Sequence, residues 1–122
     1  MREIKFRAWD KYAETMSYGK LEQFDDMLGF RFNHFDDESP VYMQFTGLRD
    51  KNGREIYEGD ICNDLAVFRF VVIWDEDNAR FLGRGIGARK EYIRYVGQEP
   101  AVIVIGNIYE NPELLKGGSA ND

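Results

Sequence analysis

The sequence predicts a mainly β fold, an all-β barrel or sandwich in one domain, and three observations predict it. Apolar and polar residues alternate with a period of two over short runs. The strongest run, "AVFRFVVIWDED" (residues 66–77), is dominated by β-branched and aromatic side chains, which suit a half-buried pleated surface. Turn residues separate one run from the next, as in small barrels and sandwiches. A chain of 122 residues is one domain's worth, long enough to bury roughly two-thirds of its unfolded surface without metals or disulfides.

The elements follow in order. Ile4, Phe6 and Ala8 alternate with Lys5, Arg7 and Trp9, so the opening reads as a strand with one apolar face. "WDKYAETMSY" reads as a hairpin, and "FRFNHF" (30–35) as a short strand within the otherwise illegible stretch 19–40. "VYMQFTGL" and "REIYEGDI" are partner strands across a turn. "ARFLG", "EYIRYV" and "AVIVIGNIY" continue the series. "NPELLK" is a short helical turn with Asn111 as N-cap, Pro112 at the first helical position and Glu113 beside the positive dipole end. The final "GGSAND", 117–122, reads as a disordered tail behind a domain of residues 1–116.

Charge narrows the function. The net charge of −6 opposes sequence-blind binding to nucleic acid. It is unevenly spread: residues 21–40 hold six acids against Arg31, a local −5, while residues 78–98 hold five bases against Glu91, a local +4. These blocks read as two solvated faces that attract each other, within a chain or between subunits. The sharper reading is an anion or nucleic-acid site built from Arg80, Arg84, Arg89, Lys90 and Arg94, with Tyr92 and Tyr95 as stacking candidates. The "MREIKFRAWD" opening has no signal-like apolar region, and no run approaches the roughly eighteen apolar residues of a bilayer span. With Cys62 as the only cysteine, this predicts a cytoplasmic address and no membrane partner.

Several chemistries fit poorly. One histidine, His34, and one cysteine, Cys62, make no zinc site and no nucleophile pair. "DKNGREIYEGDI" imitates a calcium loop, but Arg54, Glu55 and Ile61 stand where an oxygen ligand, a glycine and a carboxylate are required. "GRGIGA" (83–88) matches a dinucleotide fingerprint without the following helix or acid, and reads better as a mobile loop between strands. Asp25–Asp26, Asp36–Asp37–Glu38 and Asp75–Glu76–Asp77 are the carboxylate clusters of the least favoured reading, a metal-dependent hydrolase. Asp75 to Asn78 fits a tight turn better. Neither metal nor cofactor is expected. Asp50, Asn52, Gly53, Gly59 and Asp60 are assigned to turns, with Asn52–Gly53 supplying two left-handed residues and Asp50 capping its own turn.

Four blocks in order, "MREIKFRAWD", "QFTGLRDKNGREIYEGDI", "VIWDEDNARF" and "IGNIYENPELL", resemble the YopX-like proteins of bacteriophages and prophages. The resemblance covers about half of the chain and leaves residues 19–41 and 83–100 outside. It implies a bent, bifurcated antiparallel sheet closed into a pseudo-barrel, SH3-like in its second half, and it brings no catalytic residues. The resulting expectation is a phage accessory protein that acts by binding, self-associates and has no catalysis. Its partners would be a second copy and a phage or host protein, with nucleic acid as the alternative.

Overall fold

In the computed structural model, residues 4–20, 41–64, 69–87, 93–95 and 102–116 are described. The architecture is mainly β, in two antiparallel sheets with one 3-10 turn. The strands are β1 (Lys5–Asp10), β2 (Thr15–Lys20), β3 (Val41–Arg49), β4 (Glu55–Tyr57), β5 (Asp60–Asp64), β6 (Arg69–Asp75), β7 (Arg80–Gly85), β8 (Ile93–Tyr95) and β9 (Val102–Asn107). One sheet has the order β2-β1-β3-β4 and the other β8-β7-β6-β5-β9. The chain forms two compact units, Met1–Phe45 and Thr46–Asp122.

The first unit is built on the expected hairpin. Asp10 Oδ1 accepts the Tyr12 and Ala13 N–H groups at 2.9 and 3.1 Å, and Glu14 takes the left-handed conformation that returns the chain into β2. β1 pairs with β2 on one side and with β3 on the other, as in Arg7 opposite Tyr18 and Met43. The expected apolar face of β1, Ile4, Phe6 and Ala8, is corrected here, because buried side chains stand on both faces. Arg7, 1% exposed, and Trp9 are buried as well as Ala8, while Ile4 is exposed. The Arg7 Nε–H donates to Met43 Sδ at 3.4 Å, and the Lys5 ammonium lies 5.6 Å from the Phe45 ring centroid.

The second unit holds the core cluster of Ile56, Cys62, Phe70, Val72, Phe81, Val102 and Val104, with Leu48 packed against it. Period two explains the choice: Cys62 pairs with Phe70 and Val104, and Val72 with Gly83, so alternate positions share the inner face. A register shift between Ile61 and Cys62 interrupts the β5–β9 ladder; such bulges bend a strand and increase its twist. "GRG" is strand, not loop: β7 runs to Gly85, because Gly83 and Gly85 lie opposite the bulky Val72 and Phe70. The strand paired with β7 after it, β8, runs antiparallel, which the dinucleotide fold does not allow.

Asn111 holds the N-cap position of the 3-10 turn Pro112–Leu115, but its side chain makes no capping hydrogen bond. Its Oδ1 accepts the Asn107 N–H instead, at 3.2 Å, while Pro112 takes the expected first position. Arg69 Nη1 donates to the Leu114 carbonyl at 3.1 Å and ties the turn to β6. The "FRFNHF" strand, the 21–40 carboxylates, His34 and the 117–122 tail lie outside the described residues.

Candidate functional site

Two constellations hold the predicted residues, and their chemistry differs. The first is the turn between β3 and β4. Asp50 is buried, and its Oδ1 accepts the N–H groups of Asn52 and Arg54 at 2.8 and 2.9 Å. Its Oδ2 accepts the Val104 N–H at 2.9 Å, and the Lys51 N–H donates to the Val102 carbonyl, so the turn is stitched to β9. Burial pushes the Asp50 carboxyl up. Hydrogen bonds from the Val104, Arg54 and Asn52 backbones, with the Arg54 charge, outweigh that and leave it below the ordinary 3.8.

The turn itself departs from expectation. Only Gly53 is left-handed, at φ +83°; Asn52 is not. The Gly53 N–H donates to the Asp50 carbonyl and the Asp50 N–H to the Arg54 carbonyl, giving a three-residue loop ending in a left-handed glycine. The Asp50 carboxylate selects this form by holding the Asn52 and Arg54 amides together. Gly59 and Asp60 turn the chain as expected: Gly59 has φ +88°, and Asp60 Oδ2 accepts the Tyr57 N–H at 2.7 Å. Asn107, opposite Asp60, was not singled out in the sequence. Its Oδ1 accepts the Tyr109 and Glu110 N–H groups, and its Nδ2 donates to Glu110 Oε1 at 2.7 Å. The spacing of Asn107 and Asn111 in "GNIYENP" was the available signal.

The second constellation is the β7–β8 edge. β8 has β7 on one side and no neighbour on the other among the described strands. Arg84 pairs with Val71 and Ile93, whereas Arg94 pairs with Gly83 and Tyr95 with Leu82. Arg84 and Arg94 therefore alternate in register instead of standing opposite one another. Arg84 is exposed beside Ile93, which is 52% exposed. Arg80 donates from Nε to Asp75 Oδ2 at 3.2 Å, so its charge is locally matched. Asn78 Nδ2 reaches the same oxygen at 3.0 Å and is the main cause, ahead of Arg80, that holds the Asp75 carboxyl low. Asp75 thus organises the 76–79 turn, as expected. Arg89, Lys90 and Tyr92 lie outside the described residues.

Ile93 was missed as a surface feature, although strand parity with Tyr95 in "EYIRYV" was a signal. Among the described residues no three His, Cys, Asp or Glu side chains are grouped to hold a metal ion. Cys62 is fully buried in the core. No helix among the described residues is long and apolar enough to cross a membrane.

Fold and site together define a small two-sheet β protein whose motif-dense turns are built of backbone hydrogen bonds. The YopX family, described as YopX protein, matches residues 5–116, and the chain belongs to it. The match runs through residues 83–100, beyond the four blocks that first carried the resemblance. Among solved structures, the crystal structure of protein EF1440 from Enterococcus faecalis is similar, with 27% identity and a TM-score of 0.64. The alignment covers 95% of this chain and 100% of that one. No curated protein matches the chain.

Proposed function

We propose that this YopX-family member is a phage or prophage accessory protein that acts in the bacterial cytoplasm by binding protein, self-associates, and carries out no catalysis. The observation that supports this best is the exposed pair of Arg84 and Ile93, opposite one another at the β7–β8 edge. A guanidinium beside an exposed aliphatic side chain is protein-interface chemistry: arginine is enriched there, and apolar contact supplies the binding free energy. Nucleic acid is the less well supported partner. A phosphate-tracking groove needs aligned cations, whereas Arg84 and Arg94 alternate in register and Arg80 is matched by Asp75. The reading retains the SH3-like likeness of the second unit, a scaffold suited to exposing short strand edges.

Size-exclusion chromatography with light scattering tests it. A mass at a multiple of the 14.3 kDa chain is expected. A clean monomer at high concentration removes the self-association. Capture of the tagged protein from phage-infected cells should recover a phage or host protein, and recovery of nucleic acid alone would replace the reading.

A further inference from the structure

We infer that Asn52–Gly53 is a site of covalent modification, deamidation through a cyclic imide, and that the Asp50 turn holds the reaction off while it is closed. Asparagine is a thermolabile side chain, most of all before glycine, which has no Cβ to hinder the following nitrogen. This is the one Asn–Gly pair in the sequence. Both residues are exposed, and the Asn52 side-chain amide is held by no hydrogen bond among the described residues. Nothing lies within 4 Å of where a Gly53 side chain would stand, so ring closure meets no neighbour there.

The reaction needs water and hydroxide alone. The Gly53 backbone nitrogen gives its proton to hydroxide and attacks Asn52 Cγ. A bond forms between that nitrogen and Cγ, and the bond from Cγ to the side-chain nitrogen breaks. The leaving nitrogen takes a proton from water and departs as ammonia. Water then opens the imide at either carbonyl, leaving aspartate or isoaspartate in place of Asn52. No oxidant or reductant takes part.

The closed turn withholds the nucleophile. The Gly53 N–H donates to the Asp50 carbonyl at 3.0 Å, the bond of a β-turn with Asn52 at its third position. The attacking nitrogen has to lose that proton and swing toward Asn52 Cγ, so the turn must open first. Asp50 opposes opening: its Oδ1 accepts the Asn52 and Arg54 N–H groups on either side of the pair. Its Oδ2 is anchored to the Val104 N–H on β9. The folded chain therefore reacts at the intrinsic rate scaled by the fraction of open turns. Isoaspartate sets an extra methylene between the two amides that Asp50 gathers, so the modified turn does not close in the same form.

The test is peptide mass spectrometry of the full chain held in mildly alkaline buffer, with deamidation and isoaspartate scored at Asn52. The folded chain should react at least about tenfold more slowly than the same chain unfolded in guanidinium chloride. Asp50→Ala, at a temperature where circular dichroism shows it folded, should react at least about tenfold faster than the folded native chain. Hydrogen exchange at the Gly53 amide gives the open fraction in the native chain without any variant. Its protection should match the slowing of deamidation to within about threefold. Equal rates in the folded and unfolded chain, or a Gly53 amide that exchanges unprotected, overturn the protection. A folded Asp50→Ala that reacts as slowly as the native chain removes the carboxylate as its cause. An Asn52 that stays intact even in the unfolded chain removes the site.

Discussion

The Asp50 turn and the β7–β8 edge belong to the same unit, yet they place their charged groups in opposite ways. At the turn a buried carboxylate accepts three backbone N–H groups and joins the β3–β4 hairpin to β9. At the edge an exposed guanidinium stands beside an exposed isoleucine, at the margin of a five-stranded sheet. The motif-rich stretch is therefore architecture. The plain edge is where side-chain chemistry remains for a partner. A sequence motif dense in Asp, Asn and Gly marks a site only if its side chains are left over after the backbone has used them.

Asp50→Ala should show the largest effect. It leaves the Val104 N–H without its acceptor in a buried environment and frees the Asn52 and Arg54 amides. The expected cost is about 3 kcal/mol, as buried donors to a charged acceptor lose their partner, measurable by urea unfolding. A pH series sharpens the assignment. The folded Asp50 carboxyl titrates below its ordinary 3.8, so its contribution is complete above that value and is lost as pH falls through the folded one. The stability gap between the native chain and Asp50→Asn should thus be widest near neutrality and should narrow below 3.8. Asp75 titrates low as well, but it is present in both proteins and cancels in the difference. A gap independent of pH would mean that the Asp50 charge is not what holds the turn.

Period two and turn residues made the strands legible, because both signals are local. β4, β6 and β9 lie within the runs that predicted them, while β3 runs one residue and β7 two residues past theirs. What could not be read depended on partners distant in sequence. Nothing near Arg7 marks it for burial; its Nε–H donates to Met43, distant in sequence on β3. The glycines of "GRG" look like loop until Val72 and Phe70 are placed opposite them. Asn52–Gly53 looks like a two-residue turn until the Asp50 carboxylate gathers the Asn52 and Arg54 amides. At the candidate site, Arg84 was visible as charge, but its pairing with Ile93 is a property of register.

Glycine substitutions separate packing from backbone conformation within the stapled region. A Cβ added at Gly106 would lie 2.5 Å from Asn111 Oδ1 and 3.0 Å from Asn111 Cβ. Asn111 must then move and release the Asn107 N–H, so Gly106→Ala should cost about 2 kcal/mol, within the range for overpacking. Gly53→Ala meets no atom within 4 Å, and only its φ of +83° opposes the change. About 1 kcal/mol is expected, the penalty of one left-handed residue. Equal losses at the two positions would show that Asn111 yields without cost and that the end of β9 is less tightly held than the Asp50 turn.

Arg84→Glu should have the smallest effect on folding and therefore isolates the edge. The side chain is exposed, and its strand neighbours Val71 and Ile93 make no ion pair with it. Monomer stability should change by no more than about 0.5 kcal/mol, as for an ordinary surface position. Urea unfolding at a concentration low enough to dissociate the self-associated form would measure it. The same substitution reverses the charge at the proposed protein-binding edge, so folding and association should separate in one variant. If Arg84→Glu instead destabilised the monomer as much as Asp50→Ala, the arginine would belong to the architecture. The contrast between the two regions would then fail at the residue that defines it.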